Sequence, residues 1–229
     1  NDLVFIATES LRIAKNTDDV FKIVEEIFPG TNVTILNQEM EGEMFFKTVS
    51  QAFINTPIVA IDIGGGSVQI FQGVYDSSTN IHRAIEKQLH KTGTYKLQQK
   101  YSPDNNVISD NFHLAVDEVT NEYEKLNIKN DILVFGSTCM KDFIKETGIE
   151  LHYDKPYKNH DFYVLRDSLV ELLSEIRKFP PSQRTHIYPS GEYFIYGADY
   201  LLINLIEIIN KTDAVYIYPT NLNSSYGFI

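Results

Sequence analysis

Asp62, Gly64, Gly65 and Gly66 fall within five residues of one another in the stretch Ala60-Ile61-Asp62-Ile63-Gly64-Gly65-Gly66-Ser67-Val68-Gln69-Ile70-Phe71, and their types suit phosphate chemistry. Glycine has no Cβ, so a glycine turn can adopt positive φ and bring backbone N–H groups close to an anion. A carboxylate beside such a turn can hold a hard divalent cation, magnesium above all, or its water against phosphate oxygens. The competing reading is a plain hairpin between two strands. Hairpins usually manage with one or two glycines and an Asn or Asp, whereas this turn follows a strand that is apolar on both faces. A Walker loop is excluded, because no Gly-Lys-Ser/Thr follows and no helix opens behind the turn.

The remaining reactive side chains read as structure. The six histidines show no metal-ligand spacing. Cys139 has no base near it in sequence and fits a small buried apolar group. Ser10 and Ser67 lack a nucleophile-elbow context. A formal net charge of −11 argues against nucleic-acid or anionic-membrane partners. One basic segment stands out against it: between His82 and Lys100, the cations Arg83, Lys87, Lys91, Lys96 and Lys100 are opposed only by Glu86. It reads either as help for an anionic substrate or as a solvated face. The single cysteine allows no internal disulfide. No run reaches membrane-spanning length, and Asn1 to Ile6 carry no basic leader or cleavage site, so a cytoplasmic protein is expected.

At 229 residues the chain is long enough for one large or two modest domains. Periodicity predicts a helix with an apolar stripe of Val20, Ile23, Val24 and Ile27, capped at Asn16 or Thr17 and ended by Pro29-Gly30. A short strand over 33–36 precedes an amphipathic helix from Glu39 to about Phe53. The strands 57–61 and 68–71 flank the glycine turn, and a further strand spans 81–89. Helices follow at 111–126, 165–179 and about 192–210, with strands at 132–135 and 214–218; Pro180-Pro181 breaks the chain between helices. Strands alternating with helices, together with hairpins, predict a mixed-sheet α/β fold in two lobes, divided near residues 55–57. The lobes are thus residues 1–56 and 57–229.

These segments together resemble the exopolyphosphatase and guanosine pentaphosphate phosphohydrolase (Ppx/GppA) family of the actin-like ATPase superfamily, whose fold is ribonuclease H-like. Residues 7–16, Ala-Thr-Glu-Ser-Leu-Arg-Ile-Ala-Lys-Asn, are similar to the family's Ala-Thr-Ser-Ala-Leu-Arg-x-Ala-x-Asn. Residues 35–46 are similar to its Ser-Gly-x-Glu-Glu-Ala-Arg segment, with Asn37-Gln38 replacing Ser-Gly. Asp62 to Gln69 resembles its Asp-Ile-Gly-Gly-Gly-Ser-Thr-Glu phosphate loop, residues 91–97 its Leu-Gly-Ala-x-Arg-Leu, and Gly197 onward its late Gly-Ala-x-x-Leu helix. The ordered set covers nearly the whole chain. The resemblance implies that Glu41 is the general base on the attacking water, that Asp62 orients magnesium or manganese, and that Arg12, Gly64, Gly65, Gly66 and Ser67 hold the terminal phosphates. Gly136, Ser137 and Thr138 would form a second phosphate-facing turn.

Two departures accompany the resemblance. The family's first phosphate hairpin, Asp-x-Gly-Ser/Thr-Asn-Ser, lies upstream of where this chain starts, so an N-terminally incomplete first lobe is expected. Gln69 replaces a catalytic glutamate, which keeps hydrogen bonding but removes a negative charge. The expected activity is release of terminal phosphate from inorganic polyphosphate or guanosine pentaphosphate, and a homodimer is the expectation for such an enzyme. The alternatives are a catalytically weakened polyphosphate- or nucleotide-binding module, and an actin-like kinase of a small substrate.

Overall fold

The computed structural model describes residues 5–136, 138–191 and 194–228. The chain opens with a small parallel pair, β1 (Phe5–Ala7) beside β2 (Val33–Ile35), with Phe5 opposite Val33. Between them run a short α1 (Glu9–Ile13) and α2 (Thr17–Ile27). The predicted stripe of α2 is present but uncovered: no residue of the helix is buried, and Ile23 and Ile27 are 53% and 62% exposed. Helix α3 (Gln38–Ser50) follows, its start fixed by Asn37, whose side-chain carbonyl accepts the Met40 N–H at 2.8 Å. Such a cap satisfies one of the orphan amides of the first turn, which also carries Glu39 and Glu41 where the helix dipole favours acids.

A five-stranded sheet forms the centre, in the order β5-β4-β3-β6-β7. Its strands are β3 (Ile58–Ile63), β4 (Val68–Asp76), β5 (Ile81–His90), β6 (Ile132–Gly136) and β7 (Tyr216–Thr220). The pairs β3–β4 and β4–β5 are antiparallel, while β3–β6 and β6–β7 are parallel. This is the mixed sheet that hairpins and βα alternation predicted.

Alternation along the strands sorts residues into two cores. Val59, Ile61, Ile63, Val68 and Ile70 face one side, with residues of α4 (Thr94–Tyr101), α5 (Phe112–Glu122), α6 (Met140–Glu146), α7 (Arg166–Ile176) and α9 (Ala198–Thr212). Ile58, Ala60, Phe71, Val134 and Tyr218 face the other, against Phe45, Phe46 and Val49 of α3 and against Phe53. Burying one such phenylalanine contributes about 1.5–3 kcal/mol. Helix α3 therefore packs on the five-stranded sheet. Pro180 and Pro181 do more than break a helix. They start α8 (Pro181–Ile187), with Pro181 at the first helical position, where a missing N–H costs nothing. Helix α9 begins at Ala198, later than the expected Glu192, which with Tyr193 lies outside the described residues.

Candidate active site

The two-residue period of the sheet places Asp62 on β3 and Gln69 on β4 on the face covered by α3, directly opposite each other in the ladder. Helix α3 comes close to that face at Gly42. A Cβ there would run into the Phe71 ring and lie 2.7 Å from the Gln69 Cβ, so only glycine lets the helix seat and bring Glu41 to the site. Ser67 shares the side of Gln69, whose amide donates to the Ser67 hydroxyl at 2.8 Å; Gln69 is 2% exposed.

Arg12 approaches from α1. Its Nη1 and Nη2 donate to Glu41 Oε2 at 3.1 and 3.2 Å, and Nη1 also donates to the Leu36 carbonyl at the end of β2. Burial raises the Glu41 pKa above the ordinary carboxylate range, although Arg12 opposes the shift. Burial, with the nearby Glu41 charge adding to it, pushes Asp62 up to about 7. The two departures at the start of α3 have structural roles: Asn37 is the helix cap, and the Gln38 amide donates to the carbonyls of Val68 at 3.2 Å and His90 at 2.8 Å, tying α3 to β4 and β5.

The glycine turn is built differently from the expectation. Positive φ among the described glycines occurs at Gly30 and Gly148, and none of Gly64, Gly65 and Gly66 adopts it. Close approach bears on Gly66 and, less tightly, on Gly64. The Glu9 carboxylate fills the space of a Gly66 side chain, its oxygens 2.6 and 2.8 Å from where a Cβ would stand, and a Cβ on Gly64 would meet the Ser67 carbonyl at 3.3 Å. From below, Gly93 packs against Gly65, Gly66 and Ser67 with no room for a side chain. The first amides of α4 clamp the turn, Thr94 N–H donating to the Gly64 carbonyl at 3.0 Å and Tyr95 N–H to the Gly65 carbonyl at 2.9 Å. Among the described residues the Gly65 and Gly66 amides have no backbone acceptor, which leaves donors at the turn for an anion.

A sequence model of the Ppx/GppA phosphatase family matches residues 1–190. The chain belongs to this family. Solved structures agree on the fold. The Aquifex aeolicus member of the Ppx/GppA family is 15% identical, with a TM-score of 0.75 over 97% of this chain and 71% of that one. An exopolyphosphatase from Cytophaga hutchinsonii is 15% identical, with a TM-score of 0.74 over 98% and 72%. A further structure of the Aquifex aeolicus PPX-GPPA enzyme reaches 0.76 at 16% identity, over 97% and 73%. Curated proteins offered no match.

Of the three residues expected to form a second phosphate-facing turn in this Ppx/GppA chain, Gly136 and Thr138 are among the described residues. Gly136 ends β6 directly beside Asp62 in the parallel ladder, and its lack of a Cβ is already required by the Phe45 ring, 2.7 Å from the Cβ position. Thr138 is exposed and accepts from the Asn223 amide at 3.4 Å, while Ser137 lies outside the described residues. The basic segment is not an open track. Arg83 pairs with Asp76, Lys87 with Glu39, Lys96 with Glu9 and Lys100 with Glu118, which leaves Lys91 exposed without an ion pair among the described residues.

Sequence reasoning missed Glu9, although its place three residues before Arg12 on a helix puts both side chains on one face. Beyond the turn opens a cavity of about 430 Å³, lined among the described residues by uncharged side chains and backbone, including Gly64, Gly65, Tyr95, Gln98, Asn105 and Tyr196. No group of three or more His, Cys, Asp or Glu side chains among the described residues is arranged as a metal cage. Asp62 fits the coordination habit of magnesium, which takes one or two carboxylates and completes its shell with water and phosphate oxygens. A cation there would also relieve the strain of keeping two carboxyl groups together.

Proposed function

We propose that this protein hydrolyses phosphoanhydrides, releasing the terminal phosphate of inorganic polyphosphate or guanosine pentaphosphate. The observation that carries the reading is Glu41, a half-buried carboxylate with raised proton affinity that the first turn of α3 presents on the same sheet face as Asp62. A base whose pKa is lifted towards neutrality can accept a proton from an attacking water at working pH. The Gly65 and Gly66 amides and the Ser67 hydroxyl hold the terminal phosphate, and Arg12 neutralises charge that builds on its oxygens. Positioning and electrostatics then supply most of the acceleration, as they do in phosphoryl transfer generally. Magnesium, held at Asp62, would supply further charge neutralisation.

Gln69 favours a second reading, a binding module with little turnover. At this position the amide is committed to the Ser67 hydroxyl and brings no charge to the metal side of the site. One experiment separates the readings: phosphate release from long polyphosphate, guanosine pentaphosphate and ATP, measured side by side with magnesium for the wild type and for Glu41→Gln. The hydrolase reading expects release from one of the first two substrates and a loss of about a hundredfold or more in the variant. Binding of either without release establishes the module, and phosphorylation of a small acceptor by ATP establishes a kinase.

A further inference from the structure

The seat over the glycine turn is taken by the protein's own carboxylate. Glu9 lies directly against Gly66, in the volume a side chain at that position would need. Lys96, from the first turn of α4, bonds Glu9 Oε1 and also donates to the Gly66 carbonyl at 2.7 Å. Arg12 Nη2 stands 3.6 Å from Glu9 Oε2. Burial works against the Glu9 charge, yet Lys96, the Ser67 hydroxyl and Arg12 outweigh it, so the carboxyl ionises more readily than an ordinary glutamate. Two cations, a hydroxyl and a glycine backbone thus converge on one anionic group, supplied by three separate elements. The same groups, Lys96 apart, are those assigned above to the terminal phosphate, and this inference rests on that assignment.

We propose that Glu9 is a resident anion, an internal stand-in for phosphate that occupies the cradle until a phosphoanhydride end displaces it. The charge count explains why displacement is needed. Arg12 and Lys96 are already balanced by Glu41 and Glu9, so a phosphate group entering beside Glu9 would add negative charge next to cations that are both already paired. If Glu9 swings out, Lys96 and the Gly66 surface become available together, and Arg12 is relieved of one of the two carboxylates it faces. The apparent affinity is then the intrinsic affinity reduced by the fraction of molecules with the seat open. A chain end carrying several charges can meet that cost, whereas a single released phosphate is expelled more easily when Glu9 returns. A role as metal ligand does not fit, because the carboxylate is flanked by two cations. A purely structural role does not require the carboxylate to lie on the glycine backbone.

The test is calorimetric titration of the wild type, Glu9→Gln and Glu9→Ser with tripolyphosphate, in EDTA so that turnover is silent, alongside thermal unfolding of each protein. Both variants are expected to bind about tenfold more tightly or better, following the loss of the competing closed state. A structural role moves the result the other way, with weaker or equal binding and a lower unfolding temperature. If the wild type binds and neither variant binds more tightly, the resident-anion assignment is overturned while the cradle stands. If none of the three binds, the cradle itself is overturned and this inference falls with it.

Discussion

Two arginine–carboxylate pairs in this molecule have the same partners and different consequences. Arg184 and Asp199 form a closed pair: Nη2 donates to Oδ2 at 3.0 Å, Nη1 lies 2.9 Å from Oδ1, Nε donates to the Phe179 carbonyl at 3.1 Å, and the residues are 1% and 5% exposed. Arg12 and Glu41 form an open one. Both guanidinium nitrogens crowd a single Glu41 oxygen, Glu9 waits 3.6 Å away, and the side chains remain 18% and 14% exposed. The first arrangement spreads its contacts over both carboxylate oxygens, Oδ1 also accepting the Tyr200 N–H at 3.2 Å, and is closed to solvent. The second shares one cation between two acids, so an incoming anion can redistribute the contacts without breaking the fold. A buried pair that uses both carboxylate oxygens gives a structural bridge, and a part-exposed pair crowded on one oxygen leaves capacity for a ligand.

The largest effect that would sharpen this contrast is on stability. Truncating Arg184 to alanine abandons the buried Asp199 charge and is expected to cost about 3–5 kcal/mol in urea unfolding, whereas Arg12→Ala is expected to cost about 1 kcal/mol or less, its pair being partly exposed. Tripolyphosphate binding should respond in the opposite order, lost with Arg12→Ala and retained by whatever fraction of Arg184→Ala stays folded. Equal destabilisation by the two variants would erase the distinction.

The contrast also shows how far the sequence could be read. Asp62, the glycine turn and the mixed sheet were legible because their signals are local: an apolar run, a cluster of glycines, alternation. The seat of α3 was not, because the packing of Phe45, Phe46 and Phe53 on a sheet formed later in the chain is a long-range event. The glycines were recognised for a backbone conformation they do not adopt. What crowds the turn is Glu9 against Gly66 and Gly93 against its backbone, neither of which pattern reading can bring there. The basic segment was visible as a charge run, but its partners Glu39, Glu9 and Glu118 belong to three other helices, two far from it in sequence. The pairing of Arg184 with Asp199 gave no signal, since Arg184 belongs to no motif, Asp199 fills an unspecified position of the Gly-Ala-x-x-Leu segment, and the contact is purely tertiary.

The second expected effect lies in the pH dependence of the metal-free protein. Asp62 has a folded-state pKa of about 7, against roughly 3.9 in an unfolded chain. The folded state therefore binds the extra proton between those values. Its contribution to stability is complete below about pH 4 and is lost as pH rises towards 7, at no more than about 1.4 kcal/mol per pH unit. Glu9 works in the other sense: its lowered pKa contributes stability above the ordinary glutamate range that disappears as pH falls through the folded value. Comparing wild type with Asp62→Asn by urea unfolding in EDTA isolates the first term. The asparagine variant should gain on the wild type steadily from pH 4 to pH 7, and parallel curves would show that Asp62 is not held protonated by its surroundings.

The smallest expected effect concerns Gln69, where the open region departs most from acid chemistry. Gln69 faces Asp62 across the β3–β4 ladder and lies beneath α3, which also carries Glu41. Gln69→Glu would place a third carboxyl group on that buried face, next to one already pushed up to about 7. Without metal the new group should stay protonated, at a cost of about 1 kcal/mol. For a chain of this length that amounts to a fall of about 2–4 °C in Tm. Magnesium should reverse the loss, because a cation bound only by the folded state stabilises it by mass action and the added carboxylate strengthens its hold. The Tm gain on adding magnesium is therefore expected to be larger in Gln69→Glu than in the wild type, with a higher turnover number accompanying it. A fall in Tm that magnesium leaves untouched would place position 69 away from the metal. The amide would then be a packing group that orients Ser67, and the Arg12–Glu41 side of the site would carry the chemistry without it.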